Sequence, residues 1–260
     1  MDIKTIFFDV DGTLVSLETG IIPDSTERCL KKLREKGIKV IICTGRHKLA
    51  LDTLPIDRSD FDGFLTLNGQ LCLDESLKAY GGNPIDPGEV EILSHIFTGK
   101  RIPFMLISEN SMYINYVDDV VIDTQLQTNG RIPDISEYKG EVIYQAIAFV
   151  DDEKRQVLND FLDECDVTSW YKTGIDIIPR GGGKARGIEM YLERNGMTRD
   201  QIMAFGDGEN DISMIKYAGI GVAMGNGSDA VKEVADYVTD TVDNDGIEKA
   251  LVHFGILEGD

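Results

Sequence analysis

The stretch Phe8-Asp9-Val10-Asp11-Gly12-Thr13-Leu14 follows directly on the apolar positions Ile3, Ile6 and Phe7. A short apolar run rich in β-branched and aromatic residues reads as a buried strand of a parallel sheet. In open α/β sheets the ligand site lies just beyond the carboxyl ends of such strands. Asp9 and Asp11 fall there, separated by one residue, so both carboxyl groups are placed to face one cation. Gly12 is expected to bend the backbone sharply and turn its N–H outward.

Taken alone, the segment has other readings. Paired aspartates in a turn commonly bond their own backbone. A calcium loop also begins Asp-x-Asp, but counting from Asp9 its sixth position is Leu14 and its twelfth is Gly20, where that loop needs glycine and glutamate. The metal site of an Asp-x-Asp glycosyltransferase stays open from this stretch alone.

The whole chain narrows the field. Its 260 residues, 42% hydrophobic and 28% charged, suit an ordinary globular protein of one or two domains. A formal net charge of -20 argues against a nucleic-acid partner or an anionic membrane surface, which both demand basic patches. It also means that an enzyme of anionic substrates needs a cation, or a local cluster of Lys and Arg, to overcome the field. Cys29, Cys43, Cys72 and Cys165 lack the spacing of a zinc site and read as buried thiols. No apolar stretch approaches the length of a membrane span, and Met1-Asp2-Ile3-Lys4 does not open like a signal peptide. A cytoplasmic location without a membrane partner is the expectation.

Along the chain, Ser25 to Lys36 reads as a helix stopped by Gly37. Ile38 to Cys43 reads as a strand ending at Thr44-Gly45-Arg46, and Phe64 to Leu67 as a strand ending at Asn68-Gly69. A strand, helix, strand, helix, strand order predicts parallel crossovers. From Pro84 to Pro179 this alternation gives way to extended pieces, Ser111 to Val117 and Tyr144 to Val150, between helices at Pro87 to Phe97 and Asp152 to Glu164. The expected organisation is α/β, with a first core part at residues 1–83, an inserted α+β domain at 84–179 and a second core part at 180–260. Arg180-Gly181-Gly182-Gly183 is the expected hinge. Strands resume at Gln201 to Phe205 and Ile220 to Met224, each followed by a helix.

Four polar clusters then fall on one sheet edge: Asp9 with Asp11, Thr44, Lys184 at the start of a helix, and Gly206-Asp207-Gly208-Glu209-Asn210-Asp211. Singly, Thr44 reads as a helix cap, Lys184 as a surface lysine, and Asp207 and Asp211 as turn and cap residues. Their convergence on strand ends speaks against all of these readings holding at once.

With these motifs, and with Gly219-Ile220-Gly221-Val222-Ala223-Met224-Gly225-Asn226, the chain resembles the haloacid dehalogenase superfamily over nearly its whole length. The resemblance is to its Cof-type phosphatases, which carry a large inserted cap of the IIB kind. Gly183-Lys184-Ala185 stands where that family often has Ser-Lys-Gly.

The resemblance implies a Rossmann-like parallel-sheet core with an inserted α+β cap. It also implies a Mg²⁺-dependent phosphatase of small phosphorylated metabolites, most of all sugar phosphates. Asp9 is then the nucleophile that forms an aspartyl-phosphate, and Asp11 the general acid and base. Asp9, the Asp11 carbonyl and Asp207 hold Mg²⁺. Thr44 and Lys184 complete the catalytic set by bonding and neutralising the phosphoryl oxygens. Gly12, Gly45, Arg46 and Asn210 are expected to bind substrate, with Arg46 equally readable as a surface ion pair. Asp211 is expected behind Lys184 or a metal-bound water. A sugar phosphomutase on the same fold is the alternative; a non-catalytic phosphate-binding module is disfavoured because no member of the set is missing.

Overall fold

The computed structural model describes residues 2–127 and 130–259. The chain divides into two compact units, Met1–Gly81 with Gly183–Asp260, and Gly82–Gly182.

The first unit opens with β1 (Thr5–Phe8), every residue of it buried. Helix α1 (Asp24–Glu35) turns Cys29, Leu30 and Leu33 inward, carries Asp24 and Glu27 in its first turn and Lys32 and Arg34 in its last. That charge order complements the helix dipole. Gly37, at φ 75°, ends it and leads into β2 (Lys39–Cys43). Then come β3 (Gly63–Thr66), β4 (Leu71–Asp74) and β5 (Ala79–Gly82).

The inserted unit contains α2 (Pro87–Gly99), β6 (Phe104–Ser108), β7 (Met112–Ile114), α3 (Asp119–Gln127), β8 (Ile143–Phe149), α4 (Asp152–Phe161), β9 (Cys165–Tyr171) and β10 (Gly174–Pro179). Its strands form a sheet in the order β7-β6-β8-β10-β9, antiparallel at every pairing. Leu93 and Phe97 of α2 and Leu158 of α4 share a core with Phe104, Leu106, Ala146 and Ile175 of the sheet. Asp86 starts α2 by accepting from the Gly88 N–H at 2.7 Å, just before Pro87 at the first helical position.

The return to the first unit brings α5 (Lys184–Asn195), β11 (Ile202–Gly206), α6 (Ile212–Tyr217), β12 (Ile220–Ala223), α7 (Asp229–Val234), β13 (Tyr237–Val238) and α8 (Gly246–His253). The large sheet runs β13-β12-β11-β1-β2-β3-β4-β5. Strands β13 through β3 are parallel to their neighbours. The chain steps from β1 outward through β2 and β3, then returns on the other side of β1 through β11, β12 and β13. Strand order therefore reverses at β1 and β11, the switch point beside which such sheets bind ligands. Phe8 pairs with Ile42 on one side and Phe205 on the other, which sets Asp9, Thr44 and Asp207 at one edge. The Phe8 and Phe205 rings stack 5.0 Å apart and both are fully buried. Each such phenyl contributes about 1.5–3 kcal/mol on burial, so the strand pair carrying the aspartates is firmly held.

One expectation about the core needs correction. No α-helix joins β2 to β3; short 3-10 turns at Lys48–Thr53 and Arg58–Asp60 do so. Pro55 lies between them and supplies no N–H, and Asp57 caps the second turn at the Ser59 N–H, 2.9 Å away. The parallel core of the sheet is extended at one side by a hairpin at Leu67 to Gln70, through which β4 pairs antiparallel with β3. The four cysteines are buried and stand outside any disulfide. Among the described residues no helix is long and apolar enough to cross a membrane.

Candidate active site

The turn after β1 winds on one carbonyl. Val10 O accepts from Leu14 N at 3.0 Å and Val15 N at 2.8 Å, which throws Asp9 and Asp11 to the edge of the sheet. Gly12 does not turn its N–H outward as expected; it donates to Val15 O at 2.8 Å, inside the turn. Its φ is 87°, and a Cβ there would collide with the Asp207 carboxylate. Glycine is needed for conformation and for this close approach. Gly12→Ala is accordingly expected to lower the unfolding free energy by about 2–4 kcal/mol, from the left-handed backbone and the clash together. Urea unfolding measures it, and an unchanged midpoint would refute the packing argument.

Asp9 is 6% exposed and Lys184 is fully buried. The Lys184 ammonium donates to Asp9 Oδ1 and to Asp211 Oδ1, each at 2.5 Å. Asp211 Oδ2 accepts the N–H groups of Asp207 and Gly208, both at 2.9 Å. One buried carboxylate thus anchors the lysine and the loop carrying Asp207. Burial alone pulls the Lys184 ammonium down, but Asp211 and Asp9 more than offset it and hold the group above its ordinary value. Burial pushes Asp9 well up, opposed by Lys184 and aided by Asp211, Asp207 and Asp11. Asp207 is pushed up to about 7, first by burial and then by Asp211. Ligand oxygens of Asp9, Asp207 and Asp211 lie within 4.8 Å of one another.

Thr44 follows β2 and accepts the Arg46 N–H on its Oγ1 at 3.1 Å, which leaves the hydroxyl proton to donate. Arg46 grips Asp11 with two bonds of 2.7 Å, from Nε and Nη2 to both carboxylate oxygens. Of the two open readings of Arg46, an ion pair is what the structure contains, and its partner is Asp11. Gly45 lies against Asn68, whose Oδ1 accepts from Asn210 Nδ2 at 3.1 Å.

Three residues of this site had no assigned role in the sequence. Thr13 donates to Asp207 Oδ1 at 2.9 Å. Asn226 donates to Gly12 O and accepts from Val242 N, both at 2.8 Å, tying the loop after β12 to the Asp turn. Asn68 is 4% exposed and joins the β3 turn to Asn210. Thr13 and Asn226 stand inside the motifs already singled out, and Asn68 stands at a recognised strand end.

The family model described as haloacid dehalogenase-like hydrolase matches residues 6–251. The chain belongs to the haloacid dehalogenase-like hydrolases. Within that family it is 35% identical to "Putative phosphatase YkrA" of Bacillus subtilis (strain 168), over 99% of this chain and all of that protein. It is 30% identical to the 5-amino-6-(5-phospho-D-ribitylamino)uracil phosphatase YcsE of the same organism, over 98% of this chain and 96% of that one. The solved structure of the subclass IIB sugar phosphatase BT4131 superposes with a TM-score of 0.87 at 34% identity, covering 98% of this hydrolase and all of that chain. The hydrolase is a phosphatase of the Cof type, with a parallel-dominated core and an antiparallel-sheet insertion.

Proposed function

We propose that this phosphatase hydrolyses small phosphorylated metabolites, sugar phosphates foremost, through an aspartyl-phosphate on Asp9, with Mg²⁺ as cofactor. The observation that carries the proposal is the buried bridge from Asp9 through Lys184 to Asp211, 2.5 Å at each step. A carboxylate fixed at a sheet edge beside a permanent cation is suited to attack an anionic phosphoryl group. Sugar phosphatase BT4131 and the phosphoribitylaminouracil phosphatase YcsE support the substrate class.

In the first step an Asp9 oxygen bonds to phosphorus and the bond from phosphorus to the leaving oxygen breaks. Asp11 gives its proton to that leaving oxygen. In the second step water attacks the same phosphorus, Asp11 takes a proton from it, and the bond to Asp9 breaks to release phosphate. Thr44 and the Gly45 N–H bond the phosphoryl oxygens while Lys184 balances their charge. Arg46 holds Asp11 by both oxygens, so one of those bonds is given up when Asp11 carries a proton.

The donor set fits Mg²⁺. Among the described residues Asp9, Asp11, Asp207 and Asp211 bond two cationic side chains, Lys184 and Arg46, so four carboxyl groups stand against two positive charges. All the donors are hard oxygens. Asp211 already bonds Lys184 and two N–H groups, so Asp9 and Asp207, with the Asp11 carbonyl, would hold the ion. The bound cation supplies charge neutralisation and orientation of the phosphoryl group.

Protons compete with that cation. An Asp207 carboxyl pushed up to about 7 is neutral below that pH and binds metal only when ionised. Mg²⁺ affinity, measured by calorimetry, is expected to rise with pH between about pH 6 and pH 7 as Asp207 gives up its proton. A flat profile across that interval would show that Asp207 is already ionised below it and would contradict this proton competition.

The substrate class is tested by phosphate release in Mg²⁺ from a panel of sugar phosphates, nucleotides, cofactors, phosphorylated acids and a folded phosphoprotein. Sugar phosphates are expected to lead and the phosphoprotein to be inert. A preference for the phosphoprotein would overturn the proposal.

A further inference from the structure

Leu67, Asn68 and Gly69 occupy the left-handed region in succession, with φ of 54°, 54° and 83°. A leucine there costs about 1–2 kcal/mol, and a hairpin between β3 and β4 can be closed by turns that place no such residue in that region. Strain of this kind persists where surrounding contacts over-determine it. The contacts are visible on every side of the turn. Leu67 N donates to Arg46 O at 3.1 Å and Asn68 N to Thr44 O at 3.0 Å, so the turn is stitched to the loop after β2. Gly69 meets the start of α5 backbone to backbone: a Cβ there would lie 2.7 Å from Gly183 O and 3.0 Å from Lys184 Cα.

The side chain of Asn68 is thereby aimed at Asn210. Its Oδ1 takes one of the two hydrogens on Asn210 Nδ2, at 3.1 Å. On the other side Asn210 Oδ1 lies close over Gly208, where a Cβ would stand only 2.7 Å from it. An amide has two donor hydrogens, and fixing one fixes the direction of the other. We infer that Asn68 is a positioning residue: by holding Asn210 Nδ2 it points the second N–H of that amide at an oxygen of the bound phosphoryl group. Asn68 has this role only if Asn210 touches the substrate, as proposed from the sequence.

The test is a double-mutant cycle read on competitive inhibition by inorganic phosphate and on KM for the best substrate of the panel. Asn68→Gly removes the acceptor and leaves the left-handed backbone unstrained. It is expected to weaken phosphate binding about tenfold, the scale of one directed hydrogen bond, with an unchanged circular dichroism spectrum. In an Asn210→Ala background the same substitution is expected to change phosphate binding less than about twofold, because coupled residues are not additive. An equal loss in both backgrounds, or no loss in Asn68→Gly while Asn210→Ala weakens binding, would overturn the positioning role alone. No loss in Asn210→Ala itself would overturn the contact between Asn210 and phosphate, and the positioning role with it.

Discussion

Asp9→Asn is expected to abolish turnover, lowering kcat at least about a hundredfold, while inorganic phosphate still binds. An amide fills the volume of the carboxylate but is a poor nucleophile, so the covalent route is lost and several kcal/mol of transition-state stabilisation go with it. The fold has no reason to suffer. Asp9 sits in a cluster where burial and three other carboxylates already oppose its charge, and Lys184 keeps its second partner, Asp211. Steady-state kinetics with a matched circular dichroism spectrum measure the effect. A folded variant retaining more than about a hundredth of the wild-type kcat would rule out covalent catalysis at Asp9.

Lys184→Met is expected to damage both stability and activity. The ammonium is fully buried and bonds Asp9 and Asp211 at 2.5 Å each, so its removal strands buried negative charge. Breaking such a pair costs about 3–5 kcal/mol. The loss of charge stabilisation at the phosphoryl group adds a fall in kcat of about a hundredfold or more. Without Lys184, the one strong influence lowering Asp9, that carboxyl is pushed further up. Its folded-state value then lies far above its unfolded one, so the penalty is full above the folded value and shrinks as pH falls through it. Urea midpoints for wild type and variant should converge on acidification. A variant of wild-type stability at neutral pH, or one whose deficit grows on acidification, would contradict the role given to this bridge.

Much of the site was legible because its residues stand at strand ends, and strand ends are marked by composition. Phe8 before Asp9, Cys43 before Thr44 and Gly206 before Asp207 each close a buried run, and the registers of β1 with β2 and β11 bring those ends level. Lys184 follows a glycine run and begins a helix, which is also a local signal. What escaped depends on pairing across the fold. The bond from Thr13 to Asp207, the bond from Asn226 to Gly12 and the bond from Asn210 to Asn68 join residues more than a hundred positions apart, with no spacing to announce them. Gly12 departs from expectation for a related reason: glycine announces the conformation, but nothing local announces the Val15 carbonyl that takes its N–H. In the fold, the absent helix between β2 and β3 followed from assuming alternation across a segment that Pro55 interrupts. The antiparallel β4 lies just past Asn68-Gly69, a pair that favours hairpins as well as marking the strand end.

The central claim is that phosphate passes through a covalent bond to Asp9. The direct measurement is borohydride trapping during steady-state turnover of the best substrate in Mg²⁺, followed by peptide mass spectrometry. An acyl phosphate at Asp9 is reduced to homoserine at that position, and the account predicts this in wild type with substrate, but not without substrate or in Asp9→Asn. Turnover with no reduction at position 9, or with the label on another carboxylate, would contradict it.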